Sequence, residues 1–448
     1  MNRYFSRYMS HYKDTIRLGV PIVLGQIGIV AVGFADNIMV GHYATDALAA
    51  SSFVNSVFNL PLVFSIGFSY GLTPLVGRFA GRGETGRVGG ALRDGLLANG
   101  LTGAVLSLLV WIAYLNVHRM GQPEELLPLI RPYFLLQLSS LIFVMGFNAF
   151  KQFADGIRDT VTPMWIMLGG NALNIAGNVV LIYGAFGIPA MGLTGAGVAT
   201  LLSRVATFAA FVILFCCRRS YRPYRESFRA ARRERHFLEL NKMGLMVGAQ
   251  MGMETALFGL TGVMVGWLGA VELAAHQVAA TLSTLGFMIY YGVGAAISVR
   301  VSHFLGRRDM QGVRSASTAG FHLITALALA TSFFFLATRG WIGMIFTNAP
   351  EVLAGVSPLI MMLAIYQFGD GLQVTYANVL RGISDVTPLA LLSFAGYFLV
   401  ALPVSYLIAF PLGGGLTGVW AGYPVGLTLA GLTFRARYLW KLRRIARG

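Results

Sequence analysis

Long runs of apolar residues, broken by short polar and glycine-containing turns, dominate this chain of 448 residues. Each run is about 20 residues or longer, which is the length that a helix needs to cross the hydrocarbon core of a bilayer. The pattern therefore predicts an all-α polytopic membrane protein with about twelve transmembrane helices. The expected spans are centred near Val30, Leu62, Val105, Phe143, Ile175, Ala206, Leu257, Gly286, Ala326, Tyr366, Tyr397 and Leu427.

The second half of the sequence repeats the first. The sequence MVG at residues 39–41 recurs at residues 264–266, and GLTG at residues 192–195 recurs at residues 415–418. Because the spacing between partners changes by only a few residues, the repeat covers a whole half-chain. Two like halves in an apolar chain are typical of transporters that rock one half against the other.

The repeat predicts two pseudo-symmetric six-helix bundles. We expect an N-terminal lobe over residues 1–217, a cytoplasmic linker over residues 218–241 and a C-terminal lobe over residues 242–448. The linker is the longest strongly charged internal stretch of the sequence. Six spans return the chain to its starting side, so both lobes have the same orientation and the symmetry axis runs along the membrane normal.

The few charged residues are placed asymmetrically. They make up 12% of the chain, about half the fraction of a soluble domain. With both termini in the cytoplasm, only Arg119, Arg131 and Arg339 lie outside and only Arg204 lies within a span. This positive-inside distribution predicts a multi-pass protein of the cell (inner) membrane. The basic residues on the cytoplasmic side also account for the net charge of +16. We therefore expect the lipid bilayer as partner and no nucleic acid.

Three carboxylates fall inside the predicted spans: Asp36, Glu254 and Asp370. Each costs several kcal/mol in hydrocarbon unless it is paired, hydrated or protonated. None has a carboxylate at its repeat-equivalent position. The two lobes are therefore expected to share a fold but to differ in their buried acids. A buried salt bridge or a capping role is the structural alternative, and ion or substrate handling is the functional one.

In the first lobe, Asp36 is expected at the depth of Asn174, Asn178 and Thr200. The two asparagines lie one turn apart on one face of their helix. One carboxylate, two amides and a hydroxyl form an oxygen-rich site suited to a monovalent cation, whereas a proton needs only the carboxylate. The alternative for the asparagines is hydrogen bonding between helices. Arg204, one turn from Thr200, either neutralises an acid such as Asp36 or extends to the inner surface.

In the second lobe, Glu254 and Asp370 lie in mid-span, with Tyr366 one turn from Asp370 and Phe287 at similar depth. Two acids with aromatic faces suit a cation, through charge and cation–π attraction. Pro21 lies inside the first span and predicts a kink, because proline removes a backbone donor. This bend is either static or a hinge that moves part of the helix.

No catalytic motif is found, so we expect no enzyme and no cofactor: His-Glu-x-x-His, Cys-x-x-Cys, a nucleophile elbow and a phosphate-binding loop are all missing from the sequence. A membrane enzyme has no residues to nominate a reaction. A major-facilitator transporter also has two six-helix halves, but the loop from Gly77 to Arg82 lacks the aspartate of that class.

The chain resembles the multidrug and toxic compound extrusion (MATE) family, in particular its NorM-type branch. The matching features are the repeat, the Pro21 helix running to Asp36, Gln250 followed by Glu254 one turn later, and Tyr366 followed by Asp370. The resemblance covers essentially the whole chain through the order and spacing of these features.

The resemblance implies a Na⁺- or H⁺-coupled antiporter that exports amphipathic, often cationic drugs and dyes by alternating access. It implies one cation site at Asp36, Asn174, Asn178 and Thr200, and another at Glu254, Asp370, Tyr366 and Phe287. Some branches carry an acid at the position of Asn178, so this chain departs from them there. We expect a monomer without a bound metal beyond that cation. A flippase of lipid-linked precursors is the alternative function, although such a protein would need a basic cavity.

Overall fold

A computed structural model of the protein describes residues 2–230 and 236–445. Over these ranges every regular element is a helix, because lipid offers no hydrogen-bond partners and each span must pair its own backbone groups. A π-helical segment, Ala395–Ala401, joins the thirteenth α-helix to the fourteenth. The α-helices are α1 (Asn2–Tyr43), α2 (Thr45–Ser69), α3 (Leu72–Gly81), α4 (Thr85–Leu115), α5 (Leu127–Gly156), α6 (Val161–Tyr183), α7 (Gly192–Cys217), α8 (Arg222–Ala230), α9 (His236–Gly266), α10 (Ala270–Gly306), α11 (Met310–Thr338), α12 (Pro350–Gly382), α13 (Val386–Phe394), α14 (Leu402–Ala409) and α15 (Gly415–Ile445).

Ten helical segments in the described ranges are long and apolar enough to cross a membrane, which confirms the predicted all-α membrane fold. They contain all but two of the predicted span centres. The other two, Leu257 and Leu427, lie in α9 and α15, each 31 residues or roughly 45 Å long. Polar residues such as Gln250 and Glu254 in α9 lower the mean hydropathy of that helix, although its length is sufficient to span.

The helices form two compact units. The N-unit is Leu24–Gly248, and the C-unit joins Met1–Val23 to Ala249–Gly448. Both α1 and α9 therefore begin in one unit and end in the other. The predicted lobes follow the sequence repeat and stay a prediction, since the units change over inside helices. The predicted linker contains the short helix α8, and residues 231–235 lie outside the described residues.

The first turns of α1 are held in the C-unit by a buried arginine of α10. Nη1 of Arg300 donates hydrogen bonds of 2.7 Å to the carbonyl oxygen of His11 and 2.7 Å to Oγ1 of Thr15. The hydroxyl of Tyr12 lies 2.8 Å from Nδ1 of His322 on α11. These contacts explain why the first 23 residues group with the second half of the chain.

Small residues bring α6 and α7 close together in the N-unit. A Cβ atom at Gly177 would lie 3.0 Å from Cβ of Ala199, which is tighter than ordinary contact. Membrane helices pack through such small side chains because lipid provides little hydrophobic force to join them. The close approach brings the polar face of α6 against the polar face of α7.

The C-unit is organised around α12, which packs against α10, α11 and α15. Its residues from Gln373 to Gly382 are all buried. A Cβ atom at Gly369 would lie 3.1 Å from the backbone nitrogen of Thr428 on α15, so glycine is needed for this close packing. Polar side chains of α12 are therefore sealed inside the unit.

Candidate cation-binding sites

The four residues predicted for the N-unit site are joined by hydrogen bonds. Nδ2 of Asn178 donates to Oδ1 of Asp36 at 2.5 Å and to Oδ1 of Asn174 at 3.2 Å. Nδ2 of Asn174 donates in turn to Oγ1 of Thr200 at 3.2 Å. The second part of α1, α6 and α7 thus supply one continuous polar chain. The structure brings all four side chains together.

The polar chain of the N-unit still has an oxygen that could accept a hydrogen bond or bind an ion. Oδ1 of Asn178 is buried and accepts no hydrogen bond, and Asp36 is half-buried. Buried polar atoms are normally satisfied, so an unpartnered carbonyl oxygen beside a carboxylate suggests a ligand or ordered water. Carboxylate, amide and hydroxyl oxygens are suitable donors for a monovalent cation, and the carboxylate by itself is suitable for a proton.

Arg204, one turn after Thr200 on α7, is held by α5. Its Nη1 donates to Oε1 of Gln137 at 2.9 Å and also to the hydroxyl of Ser140. Nε2 of Gln137 donates to the hydroxyl oxygen of Tyr133 at 2.9 Å. Arg204 and Asp36 form no direct ion pair, although their charges interact electrostatically.

The pseudo-symmetric positions in the C-unit are filled differently. Thr261 stands at the repeat position of Asp36, and its hydroxyl is hydrogen-bonded directly to that of Tyr423 on α15. Both residues are fully buried. At this position the C-unit therefore has two neutral side chains bonded directly to each other. The N-unit has the Asp36 carboxylate there, and two amides link it to Thr200.

The C-unit has its carboxylates elsewhere, on α9 and α12. Oε2 of Glu254 accepts from Nε2 of Gln250 at 3.0 Å, and Oε1 accepts from Nε2 of Gln373 at 3.5 Å. Nη2 of Arg381 donates to Oε1 of Gln250. Glu254 is thus linked through one glutamine to a buried guanidinium, and Gln373 also donates to the hydroxyl of Tyr397 at 2.7 Å.

Asp370 is 1% exposed and neither of its carboxylate oxygens has a hydrogen-bond partner. Glu254 is close enough to interact with it electrostatically. Tyr366 lies one turn away, where its hydroxyl accepts a hydrogen bond from Ser283 at 3.3 Å. A carboxylate sealed beside a second one is unfavourable unless a proton or cation joins them.

Phe287, the fourth residue predicted for the C-unit site, is half-buried on α10. Its ring packs against the hydrophobic core and lies 5.7 Å from that of Tyr291, between centroids. A cation–π role for Phe287 therefore stays a prediction. The packing direction of an aromatic side chain on a helix is not fixed by its depth.

Sequence reasoning missed Gln367 and Gln373 on α12. Both amide atoms of Gln367 are buried without partners, as is Oε1 of Gln373. Gln373 also contacts Tyr397, which lies in the π-helical segment, a feature that often marks functional sites. Their position in mid-span could have identified both glutamines from the sequence, because placing an amide in hydrocarbon is costly.

Three basic residues besides Arg204, namely Lys151, Arg300 and Arg381, are buried in the long helices that contain the candidate spans. Nζ of Lys151 donates to Oδ2 of Asp155 at 2.8 Å. The helices are longer than the expected spans, so their inner turns contain residues that the sequence assigned to loops.

In the described ranges no three or more His, Cys, Asp and Glu side chains are grouped so that they could hold a metal ion. The two sites instead combine one or two carboxylates with amides and hydroxyls, which is the chemistry of a monovalent cation or a proton.

Comparison with solved structures identifies the fold. The chain is similar to the eukaryotic MATE transporter AtDTX14 (18% identity, TM-score 0.87, 98% of each chain covered). It is also similar to a MATE structure in the bent conformation (19%, 0.88, 98% and 96%). A third match is the outward-facing conformation of a multidrug resistance MATE family transporter of the MOP superfamily (19%, 0.88, 98% and 97%).

A sequence model of the MatE family matches once in each half of the chain, over residues 21–180 and 247–407. The two matches begin near the points where α1 and α9 change unit, and together they cover more than half of the chain. They agree with the internal repeat and exclude the major-facilitator alternative. The chain therefore belongs to the MatE family of multi-pass membrane transporters.

Proposed function

We propose that the protein is a cation-coupled antiporter that exports amphipathic, often cationic drugs, dyes and toxic compounds across the cytoplasmic membrane. Entry of Na⁺ or H⁺ drives the export by alternating access. The protein acts as a monomer with both termini in the cytoplasm and needs no cofactor. The proposal is narrower than membership of the MatE family, which indicates an efflux transporter of small molecules.

The observation that carries this proposal is the polar chain from Asp36 through Asn178 and Asn174 to Thr200. It combines a half-buried carboxylate with a buried carbonyl oxygen that has no partner. A buried oxygen of this kind is suited to bind an ion or an ordered water. A site that exchanges an ion needs free acceptors when the ion is absent.

Glu254 and Asp370 support a second coupling site in the C-unit. The carboxylate of Asp370 is unpartnered, and Gln367 and Gln373, each about one turn away along α12, also have sealed polar atoms without partners. Binding of a cation or a proton would remove the charge repulsion between the two acids. Each charge that moves through a potential of 100 mV supplies about 2.3 kcal/mol.

Pro21 supports movement within α1. It lies inside an otherwise continuous helix, two residues before the point at which α1 leaves the C-unit. Arg300 fixes the turns that precede it. Neutralising Asp36 would weaken the hold of Asn178 on the later turns, and Pro21 would allow those turns to bend. One solved MATE relative is in a bent conformation.

The test is dye transport by purified protein in liposomes. Ethidium movement is followed while Na⁺ and pH gradients are imposed separately, for the wild type and for Asp36→Asn. We expect export with at least one gradient and no coupled export by Asp36→Asn. Asp46→Asn is the matched control, because Asp46 is exposed at the start of α2 and belongs to neither site.

Wild-type-like export by Asp36→Asn would overturn the role of Asp36. Failure of folded wild-type protein to move any dye under either gradient would overturn the antiporter proposal. The flippase alternative is then tested in the same liposomes with a fluorescent lipid-linked sugar. The central charges of such a protein should be basic, whereas the acids Asp36, Glu254 and Asp370 dominate here.

A further inference from the structure

Arg204 breaks the internal repeat. Gly192 and Gly415 begin the same four-residue sequence, so Arg204 corresponds to Leu427, which lies equally far along α15. Leu427 is 1% exposed in the core of the C-unit. An apolar side chain thus satisfies the packing at this place in the fold. A permanent positive charge at the same place is costly in a membrane and calls for a functional reason.

Only one side of the guanidinium is occupied. Nη1 donates to Gln137 and Ser140 on α5. Throughout the described ranges, Nε and Nη2 of Arg204 donate to no protein acceptor, and neither is among the sealed polar atoms without partners. α5 therefore fixes the orientation of the group while two of its nitrogens stay accessible. A planar guanidinium oriented in this way matches a carboxylate.

The opposite charge is nearby in the same unit. Asp36 and Arg204 interact electrostatically but form no direct ion pair. Asp36 is held by Asn178, and the polar chain from Asn178 ends at Thr200, one turn before Arg204 on α7. The two charges are held apart by protein contacts, so each remains available to a separate group of one ligand.

We propose that Arg204 determines selectivity by binding the anionic group of zwitterionic substrates, while Asp36 attracts their cationic end. This inference rests on the proposed drug export. The class expected is a flat amphipathic molecule with a carboxylate and a cationic nitrogen. A substrate that carries only a cation would leave Arg204 unused.

The experiment compares a rhodamine free acid, which is a zwitterion, with its methyl ester, which is a cation. Transport of each dye into the same liposomes is measured over a range of dye concentrations. For Arg204→Gln we expect KM for the free acid to rise about tenfold, as for loss of one charge-assisted hydrogen bond. KM for the ester should be unchanged or lower, because a repelling positive charge is removed.

Two further variants separate recognition from structure. Arg204→Lys keeps the charge but not the planar fork, so it should retain part of the preference for the free acid. Arg119→Gln removes an exposed arginine of the same unit and should change neither KM. Thermal unfolding of each variant in detergent checks that it is folded.

An equal change in KM for both dyes with Arg204→Gln would overturn the inference and leave Arg204 as a structural link between α5 and α7. A preference for the free acid that survives this change would overturn it as well. If the wild type exports neither dye, the drug-export proposal itself has failed. Export of the ester alone would support drug export and overturn the role of Arg204.

Discussion

Nδ2 of Asn178 on α6 donates a hydrogen bond of 2.5 Å to the carboxylate of Asp36 on α1. This bond fixes the only acid of the polar chain in the N-unit, and it comes from a residue whose own carbonyl oxygen is unpartnered. Asn178 thus orients Asp36 and also offers an oxygen to an incoming ion. Because position 178 carries an asparagine and not an acid, Asp36 is the one carboxylate among the four side chains of the site.

Asn178→Ala should weaken coupling without abolishing it. The change removes a hydrogen bond to a charged group, which is worth about 1.5–3 kcal/mol, together with an amide oxygen that a cation could use, so the Na⁺ concentration needed for half-maximal export should rise about tenfold or more. The measurement is the export rate in liposomes against Na⁺ concentration at constant pH. Asn116→Ala serves as control, because this half-buried asparagine follows α4 and donates to the carbonyl oxygen of Ile112. An unchanged ion dependence would argue against the site.

Gly177→Val should destabilise the N-unit. The new side chain would start 3.0 Å from Cβ of Ala199, and overpacking of this kind typically costs about 1–3 kcal/mol. Gly169→Val on the same helix is the matched control, since a Cβ atom there meets nothing within 4 Å. Thermal unfolding in detergent should show a lower midpoint for Gly177→Val only. Equal midpoints would mean that α6 and α7 do not depend on this contact.

Lys151→Met should be strongly destabilising, because it leaves the buried carboxylate of Asp155 without its partner at 2.8 Å. Breaking a buried pair in this way costs about 3–5 kcal/mol. The double variant with Asp155→Leu should recover most of that loss, since two apolar side chains can replace the pair. Chemical or thermal unfolding of both variants measures the difference. A double variant no better than the single one would contradict this explanation.

Pro21→Ala should raise the unfolding temperature and slow export. Alanine restores a backbone donor to the carbonyl of Arg17 and removes the ring clash, which together cost about 3 kcal/mol in a helix interior. If Pro21 is a hinge, equilibrium dye binding should stay close to that of the wild type while the rate of export falls. Both quantities are measured on the same preparation.

Pro358→Ala is the control for that experiment. Pro358 also lies inside a helix, α12, but is exposed, and this helix lies wholly within the C-unit. This variant should also unfold at a higher temperature, with no loss of export. Normal export by Pro21→Ala would show that Pro21 is not a hinge.

The polar chain of the N-unit illustrates how far residue spacing leads. Asp36, Asn174, Asn178 and Thr200 were expected at one depth, because helix rise and helix direction fix depth along the membrane normal. The structure does bring them together. Depth does not fix rotation about the helix axis, however, so spacing along α10 leaves the direction of the Phe287 side chain open.

The C-unit site was less visible in the sequence. Glu254 and Asp370 were recognisable because a charge in hydrocarbon is costly, whereas Gln367 and Gln373 are neutral and drew no attention. Their importance follows from sealed amide atoms without partners. Such a property depends on what surrounds a side chain, so it cannot be read from one helix.

The sequence by itself determined the helical membrane fold, the repeat and the acids within the spans. These follow from the length of the apolar runs and from the cost of a charge in lipid, both of which are local properties. Only the tertiary structure decided which unit each end of α1 and α9 joins, which side of Arg204 is occupied and which amides have no partner. Those outcomes depend on contacts between residues far apart in the chain, such as Arg300 with His11, and an apolar pattern leaves such partners open.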